Sequence, residues 1–481
     1  MGRYRYLFRN MALFTAGNFV SKILVFCLVP FYTSVLSTHE YGIADVMQIT
    51  LLLLVPLLSI NAGEAALRFS LEETERRGDI LLIGLKRVLR SVLLVEIACI
   101  CLFILSQNKL LYIADSRLFL FFGGLYAFNA LYEFMLLYCQ GVEAVPVMMA
   151  GSISCTLLVI LSNIYFLLIA KIGLAGYLYA QMISFGGAFF IMFILVRGES
   201  TLKEAWKNRK RQEMAALSGE MGSYGSGMLL YAVSSWINNA IDRYFILFML
   251  SPAENGLYGI AYKIPAILTT FQRIFAQSWQ MSAVKEYKGA DREGFFSNMY
   301  GIYEAVLVLS CAGLIWLLKP ISAMLFRKDF FVAWMLTPPL LISVVFGALE
   351  GFLGSICLAF KDGAGMGKAT GTGAIVNIIL NSLLIPLMGS FGAALATLCS
   401  YFVMFFLAFR FVLSHVALKT RHIRDGLSYM LLILESALVI GSVWLYPLWN
   451  GIICLILFIM YFEELKMVLK KFTAGRKSCA L

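Results

Sequence analysis

Charge is scarce in this chain: 28 Asp+Glu and 39 Lys+Arg make up 14% of 481 residues, against about 25% in an ordinary soluble domain. Too little polar side chain is present to cover a surface that faces water all round, which excludes a water-soluble enzyme. Histidine is rarer still, and His39, His415 and His422 lie far apart in loops, so no metal cluster can be drawn. The 10 cysteines do not suggest a disulfide framework, because most of them sit inside apolar runs, as Cys27, Cys155, Cys399 and Cys454 do. Cys99 and Cys101 have neither zinc nor redox spacing. They read as small apolar packing residues. A sizeable loop is also missing.

What is abundant is apolar length. Hydrophobic residues make up 60% of the chain, with 38 Phe, 23 Tyr and 7 Trp. At about 20 residues per membrane-crossing helix, the apolar windows predict an all-α polytopic membrane protein with fourteen spans. They fall near 12–35, 45–67, 91–107, 117–139, 148–170, 174–196, 222–250, 258–282, 298–318, 332–360, 369–388, 392–412, 425–445 and 448–466. The first of these follows a basic MGRYRYLFRN, is too long for a signal-peptide core and lacks a small-residue cleavage site, so it is expected to stay as a span.

The positive residues test this assignment. With the N-terminus inside, 29 of the 39 lie on the inner side, and Lys109, Arg117, Lys171, Lys319, Arg327 and Lys328 lie on the outer side. That bias follows the positive-inside rule and puts both termini in the cytoplasm. The net charge of +11 is spread in short bursts between spans. This is the pattern of topology signals, not of a nucleic-acid-binding patch.

Two short motifs recur. Leu36-Ser37-Thr38-His39-Glu40-Tyr41-Gly42 and Leu250-Ser251-Pro252-Ala253-Glu254-Asn255-Gly256 both fit L-S-x-x-E-x-G, at an offset of 214. Gly173-Leu174-Ala175-Gly176 and Gly389-Ser390-Phe391-Gly392 both fit G-x-x-G, at an offset of 216. The repeat unit is therefore six spans, an even number, so both copies enter the membrane in the same direction. Transporters built from parallel repeats hold substrate between the halves. The chain divides into a six-helix lobe at 1–196, a basic cytoplasmic linker at 197–221, a second six-helix lobe at 222–414, and two further spans with a basic tail at 415–481.

Asp242-Arg243-Tyr244-Phe245, Leu250-Ser251, Gly256-Leu257-Tyr258 and Ala261-Tyr262-Lys263-Ile264 resemble the polysaccharide-biosynthesis flippases of the multidrug/oligosaccharidyl-lipid/polysaccharide (MOP) superfamily. So do Leu36-Ser37-x-x-Glu40-Tyr41-Gly42 and Gly389-x-x-Gly392-Ala393-Ala394-x-Ala396-Thr397. The likeness covers roughly residues 5–415. It implies two lobes around a central cavity, alternating access, no covalent cofactor, and a bacterial plasma-membrane location. The implied cargo is an undecaprenyl-diphosphate-linked oligosaccharide, with membrane lipid and other polysaccharide-assembly proteins as partners. Lipid II flippases and cation-coupled multidrug antiporters of the same superfamily are the alternatives, the latter usually with twelve helices. A membrane polysaccharide polymerase or ligase fits less well, because the longest outer loop is about a dozen residues.

An ionisable residue at mid-membrane costs about 3 kcal/mol or more unless it faces protein or water. The four basic residues inside spans are Lys22, Arg243, Lys263 and Arg273. Together with Arg68 they form the expected cationic site for a diphosphate headgroup, with Lys22, Arg68 and Arg273 towards the inside and Arg243 and Lys263 towards the outside. Asn18, Asn239, Gln272 and Gln277 are the supporting polar groups. Glu64 lies four residues from Arg68, so an ion pair is open to it. Glu64 and Asp242 are the candidates for coupling a proton or sodium ion. Structural pairing is an equal reading for Glu64–Arg68 and Asp242–Arg243, and snorkelling for Lys263. Glu133, Glu304, Glu350 and Glu435 also lie in spans, where each could bind a cation or neutralise one across the bundle. The run Gly363–Thr370 mimics a phosphate loop but has Ala369 where Ser or Thr is needed.

Overall fold

The computed structural model of the chain describes residues 26, 28–107, 115–207, 211–286, 292–359 and 364–467. Among these no strand occurs, and 9 helical stretches are long and apolar enough to cross a membrane. The protein is an all-α, multi-pass membrane protein. Asn18, Ser21 and Lys22 lie outside the described residues, and Gln277 contributes only its place in a helix.

The chain folds as two compact units, one comprising Val35–Ala240 and the other the residues up to Ser34 with Ile241 onwards. The first unit contains α2 (Thr38–Ser59), α3 (Ala62–Glu72), α4 (Arg77–Gln107), α5 (Arg117–Gly141), α6 (Val145–Asn163), α7 (Gly173–Leu195), α8 (Gly198–Lys207) and α9 (Arg211–Gly227), following a short α1 (Val29–Val35). The helix α10 (Leu229–Met249) runs across the division. The second unit contains α11 (Pro252–Ala261), α12 (Pro265–Glu286), α13 (Arg292–Trp316), α14 (Leu318–Leu325), α15 (Thr337–Ala359), α16 (Ala364–Met388), α17 (Ser390–Leu413), α18 (His422–Ile440) and α19 (Tyr446–Met460).

Local sequence explains where these helices start. Ser37 accepts from the amide of Glu40 at 3.2 Å while Glu40 accepts from the amide of Ser37 at 2.9 Å, a reciprocal capping box that opens α2. Ser251 accepts from Glu254 N at 3.2 Å, and Pro252 supplies the first residue of α11, where a missing N–H costs nothing. The repeated L-S-x-x-E-x-G motif is thus a helix start in both copies.

The expected second span (45–67) is not one helix. It breaks at Ile60 and Asn61, both in left-handed backbone with φ of 55° and 48°. The expected eighth span (258–282) likewise divides, at Tyr262–Ile264. Within 197–221, the described residues form α8 and the first part of α9.

In lipid, helices associate through close packing, since the solvent is as apolar as leucine. In the second unit the rings of Phe275 and Tyr303 stack at 3.9 Å and those of Trp279 and Phe352 at 4.2 Å, joining α12, α13 and α15. The indole N–H of Trp279 donates to Phe352 O at 3.1 Å. Outward-facing residues such as Phe248, Leu230 and Leu387 are strongly exposed apolar groups that suit a hydrocarbon environment.

Candidate functional site

The most completely enclosed charge among the expected site residues is Asp242, which is 1% exposed. Three helices of the second unit converge on its carboxylate from its place on α10. Asn381 of α16 donates to Oδ1 at 2.7 Å. Tyr258 of α11 donates its hydroxyl to Oδ2 at 2.9 Å, and Thr397 of α17 donates to the same oxygen. The hydrogen bonds continue from Asn381 to Asn377 Oδ1 at 3.0 Å and from Asn377 to Ser400 at 3.4 Å.

This arrangement is rich in oxygen. Asp242, Asn377, Asn381, Thr397 and Tyr258 all present oxygen atoms within one buried cluster, and Asn381 Oδ1 is buried without a hydrogen-bond donor. A buried amide oxygen of this kind seeks a donor or a cation. Oxygen ligands of mixed charge suit a hard monovalent cation, and the carboxylate alone suits a proton.

The neighbouring Arg243 also faces aromatic rings. Its guanidinium lies 4.5 Å from the ring centre of Tyr262 and 5.6 Å from that of Tyr258, and the residue is 7% exposed. Cation–π contact of this kind holds a desolvated guanidinium in place. Tyr258 thus serves both residues, with its hydroxyl on the Asp242 carboxylate and its ring near the Arg243 guanidinium.

The first repeat has no such carboxylate. At the offset of 214 Asp242 corresponds to Leu28, and at 216 Thr397 corresponds to Gln181. The cluster is a property of the second repeat.

The other expected residues are placed as follows. Glu64 and Arg68 lie on α3 of the first unit; Arg68 pairs with Glu72 at 3.3 Å rather than with Glu64, and its guanidinium lies 4.7 Å from the Tyr224 ring centre. Asn239 is exposed on α10. Lys263 sits in the break between α11 and α12, and Arg273 is exposed on α12. Gln272 lies against Gly351 of α15, its amide nitrogen 3.8 Å from where a Cβ there would be.

Three of the remaining span acids have structural partners within the second unit. Glu304 on α13 accepts from the hydroxyl of Tyr429 and lies 3.7 Å from Arg424, which also contacts Asp425 and Glu464. That cluster ties α13 to α18 and the segment after α19. Glu435 is held near the thiol of Cys454 at 3.6 Å. Glu350 sits 3.5 Å from the hydroxyl of Thr370.

Sequence reasoning missed Asn381, Thr397 and Tyr258 as partners of Asp242, and Asn377 behind them. A signal was present: two asparagines four apart in an apolar span share one face and need polar company.

No protein-family model matches the chain. Over 197 residues it is 25% identical to the "Probable low-salt glycan biosynthesis flippase Agl15" of Haloferax volcanii, a stretch that covers 40% of this chain and 40% of that protein. Among solved structures, "Lipid II flippase MurJ, inward closed conformation" superposes with a TM-score of 0.66 at 15% identity, covering 96% of this chain and 100% of that one. The "Inward-facing conformation of a multidrug resistance MATE family transporter of the MOP superfamily" superposes with a TM-score of 0.59 at 10% identity, covering 85% and 96%. The fold is that of the MOP-superfamily transporters. These neighbours are transporters and flippases rather than enzymes, and the MOP fold accounts for the helix-only architecture over nearly the whole chain.

Proposed function

We propose that this MOP-fold protein flips a polyprenyl-diphosphate-linked oligosaccharide across the bacterial plasma membrane by alternating access, with a proton or sodium ion at Asp242 as the coupling ion. The observation that carries the coupling is the enclosed carboxylate with its convergent Asn381, Thr397 and Tyr258. Filling that pocket with a cation removes a buried negative charge, and so biases whichever arrangement of α10, α11, α16 and α17 closes around it. The glycan-flippase similarity and the motifs around Asp242 and Gly389 support a lipid-linked sugar as cargo. In this reading both termini are cytoplasmic, and Arg68, Lys263 and Arg273, with Lys22, meet the diphosphate during transport.

The second reading is lipid II, favoured by the full-length superposition on a lipid II flippase. Purified protein in liposomes should separate the two. Labelled polyprenyl-diphosphate oligosaccharide and labelled lipid II are supplied separately, and appearance in the opposite leaflet is timed. Our reading expects transfer of the oligosaccharide lipid and little transfer of lipid II; transfer of lipid II alone would replace it.

A further inference from the structure

The break between α2 and α3 is strained. Ile60 (φ 55°, ψ 50°) and Asn61 (φ 48°, ψ 40°) are consecutive left-handed residues. A β-branched residue in that region is an outlier, because Cβ crowds the following carbonyl. Such a conformation persists only where its surroundings hold it. Glycine would adopt it freely, yet glycine is not used.

What holds it is the C-terminal part of α9, just beyond the linker. Asn61 donates its side-chain amide to Gly225 O at 3.3 Å, and a Cβ on Gly225 would lie 2.1 Å from Ile60 O. Only glycine allows α9 to come this close. The adjacent Tyr224 packs its ring under the Arg68 guanidinium at 4.7 Å and edge-on to Phe69 at 6.2 Å. Further along, Arg76 donates to Glu213 O at 3.0 Å and Arg87 donates to Ser218 O. Tyr224 and Gly225 of α9 therefore grip both the break and the cation-bearing half-helix beyond it.

The second repeat does not share this device. Ile60 corresponds, at the offset of 214, to Ile274, which lies inside the uninterrupted α12. The strain is local to the half of the chain that α9 covers.

We propose that Ile60–Asn61 is a hinge on which α3 turns, and that Tyr224 and Gly225 are the clasp that holds it closed. The end of α9 then sets the position of Arg68. The bearing of the hinge on transport rests on the reading of Arg68 as a headgroup cation; the hinge itself does not. With the clasp closed, Arg68 is shared between the Tyr224 ring and Glu72. A diphosphate is a stronger partner for a guanidinium than either, so headgroup binding and clasp closure compete for the same side chain. Tyr224 is a positioning residue in this scheme.

Spin labels at Leu52→Cys on α2 and Leu71→Cys on α3, both exposed positions, report the hinge angle in liposomes once the native cysteines are replaced. The closed clasp should give one dominant distance. Gly225→Ala, and separately Tyr224→Ala, should raise a second distance population roughly five- to tenfold, the scale of one lost net hydrogen bond or ring contact. Tyr224→Ala only trims a side chain, so it keeps the test open if Gly225→Ala does not fold. An unchanged single distance in a folded Tyr224→Ala protein would overturn the hinge. Arg68→Gln that flips lipid at the wild-type rate, in a background where the clasp variants do open, would remove Arg68 from the transport path and leave the hinge standing.

Discussion

Ser390 donates its hydroxyl to Glu254 at 2.5 Å, and so joins the two repeated motifs of the second unit. In the first unit Glu40 accepts from the amide of Leu174 at 3.4 Å while it also caps its own helix. The Glu40 carboxylate thus serves the N-termini of α2 and α7, while the Glu254 carboxylate, in the first turn of α11, accepts from the residue that opens α17. Helix starts carry unsatisfied N–H groups and a partial positive charge, which explains why both motifs keep an acid.

Replacing Glu254 or Glu40 by Gln keeps the shape and removes the charge. Each change should lower stability by about 1 kcal/mol, the typical worth of a cap. Thermal unfolding of the purified variants checks this, and Ser390→Ala should reproduce the Glu254→Gln loss without adding to it.

The glycine that opens each G-x-x-G motif has positive φ, +55° at Gly173 and +60° at Gly389. Alanine at either should cost about 1–2 kcal/mol from left-handed strain alone. At Gly173 an added Cβ would also lie 2.9 Å from Glu40 Oε1. Gly371, inside α16 with nothing within 4 Å of an added Cβ, is the control. Its alanine variant should be neutral or gain up to about 1 kcal/mol of helix propensity.

Arg424 faces Glu304, Asp425 and Glu464, with its side chain 12% exposed. Arg424→Gln leaves these acids without their counter-charge and should destabilise the protein by about 3–5 kcal/mol. Arg421→Gln breaks only the exposed pair with Glu463 and should change the unfolding temperature little.

The membrane architecture was legible because hydrocarbon imposes it: span length, charge scarcity and positive bias are each readable without a partner residue. The repeat motifs were legible as pairs of matches, but not as one contact, because Glu254 and Ser390 are 136 residues apart in the chain. The break at Ile60 was hidden. Neither Ile60 nor Asn61 is a usual helix breaker, and the left-handed turn is held by Gly225, a residue far along the chain. Asp242 stood out as an acid in a span, whereas Asn381 and Tyr258 are unremarkable until the fold places them on its carboxylate.

Thr397 donates to the Asp242 carboxylate and is buried. Thr397→Val keeps the volume and removes an oxygen ligand, so sodium affinity should fall about tenfold, the scale of one lost interaction with a charged group. Calorimetric titration with sodium, and a pH titration in its absence, would show which ion responds.

The central claim is that Asp242 couples a cation to lipid transport. The direct measurement is the flipping rate of labelled polyprenyl-diphosphate oligosaccharide in liposomes with and without an imposed sodium or proton gradient, for the wild-type protein and Asp242→Asn. The wild-type rate should rise with one of the two gradients, and the variant should flip at a rate that no gradient alters. A variant that still accelerates with the gradient as the wild type does would contradict the account.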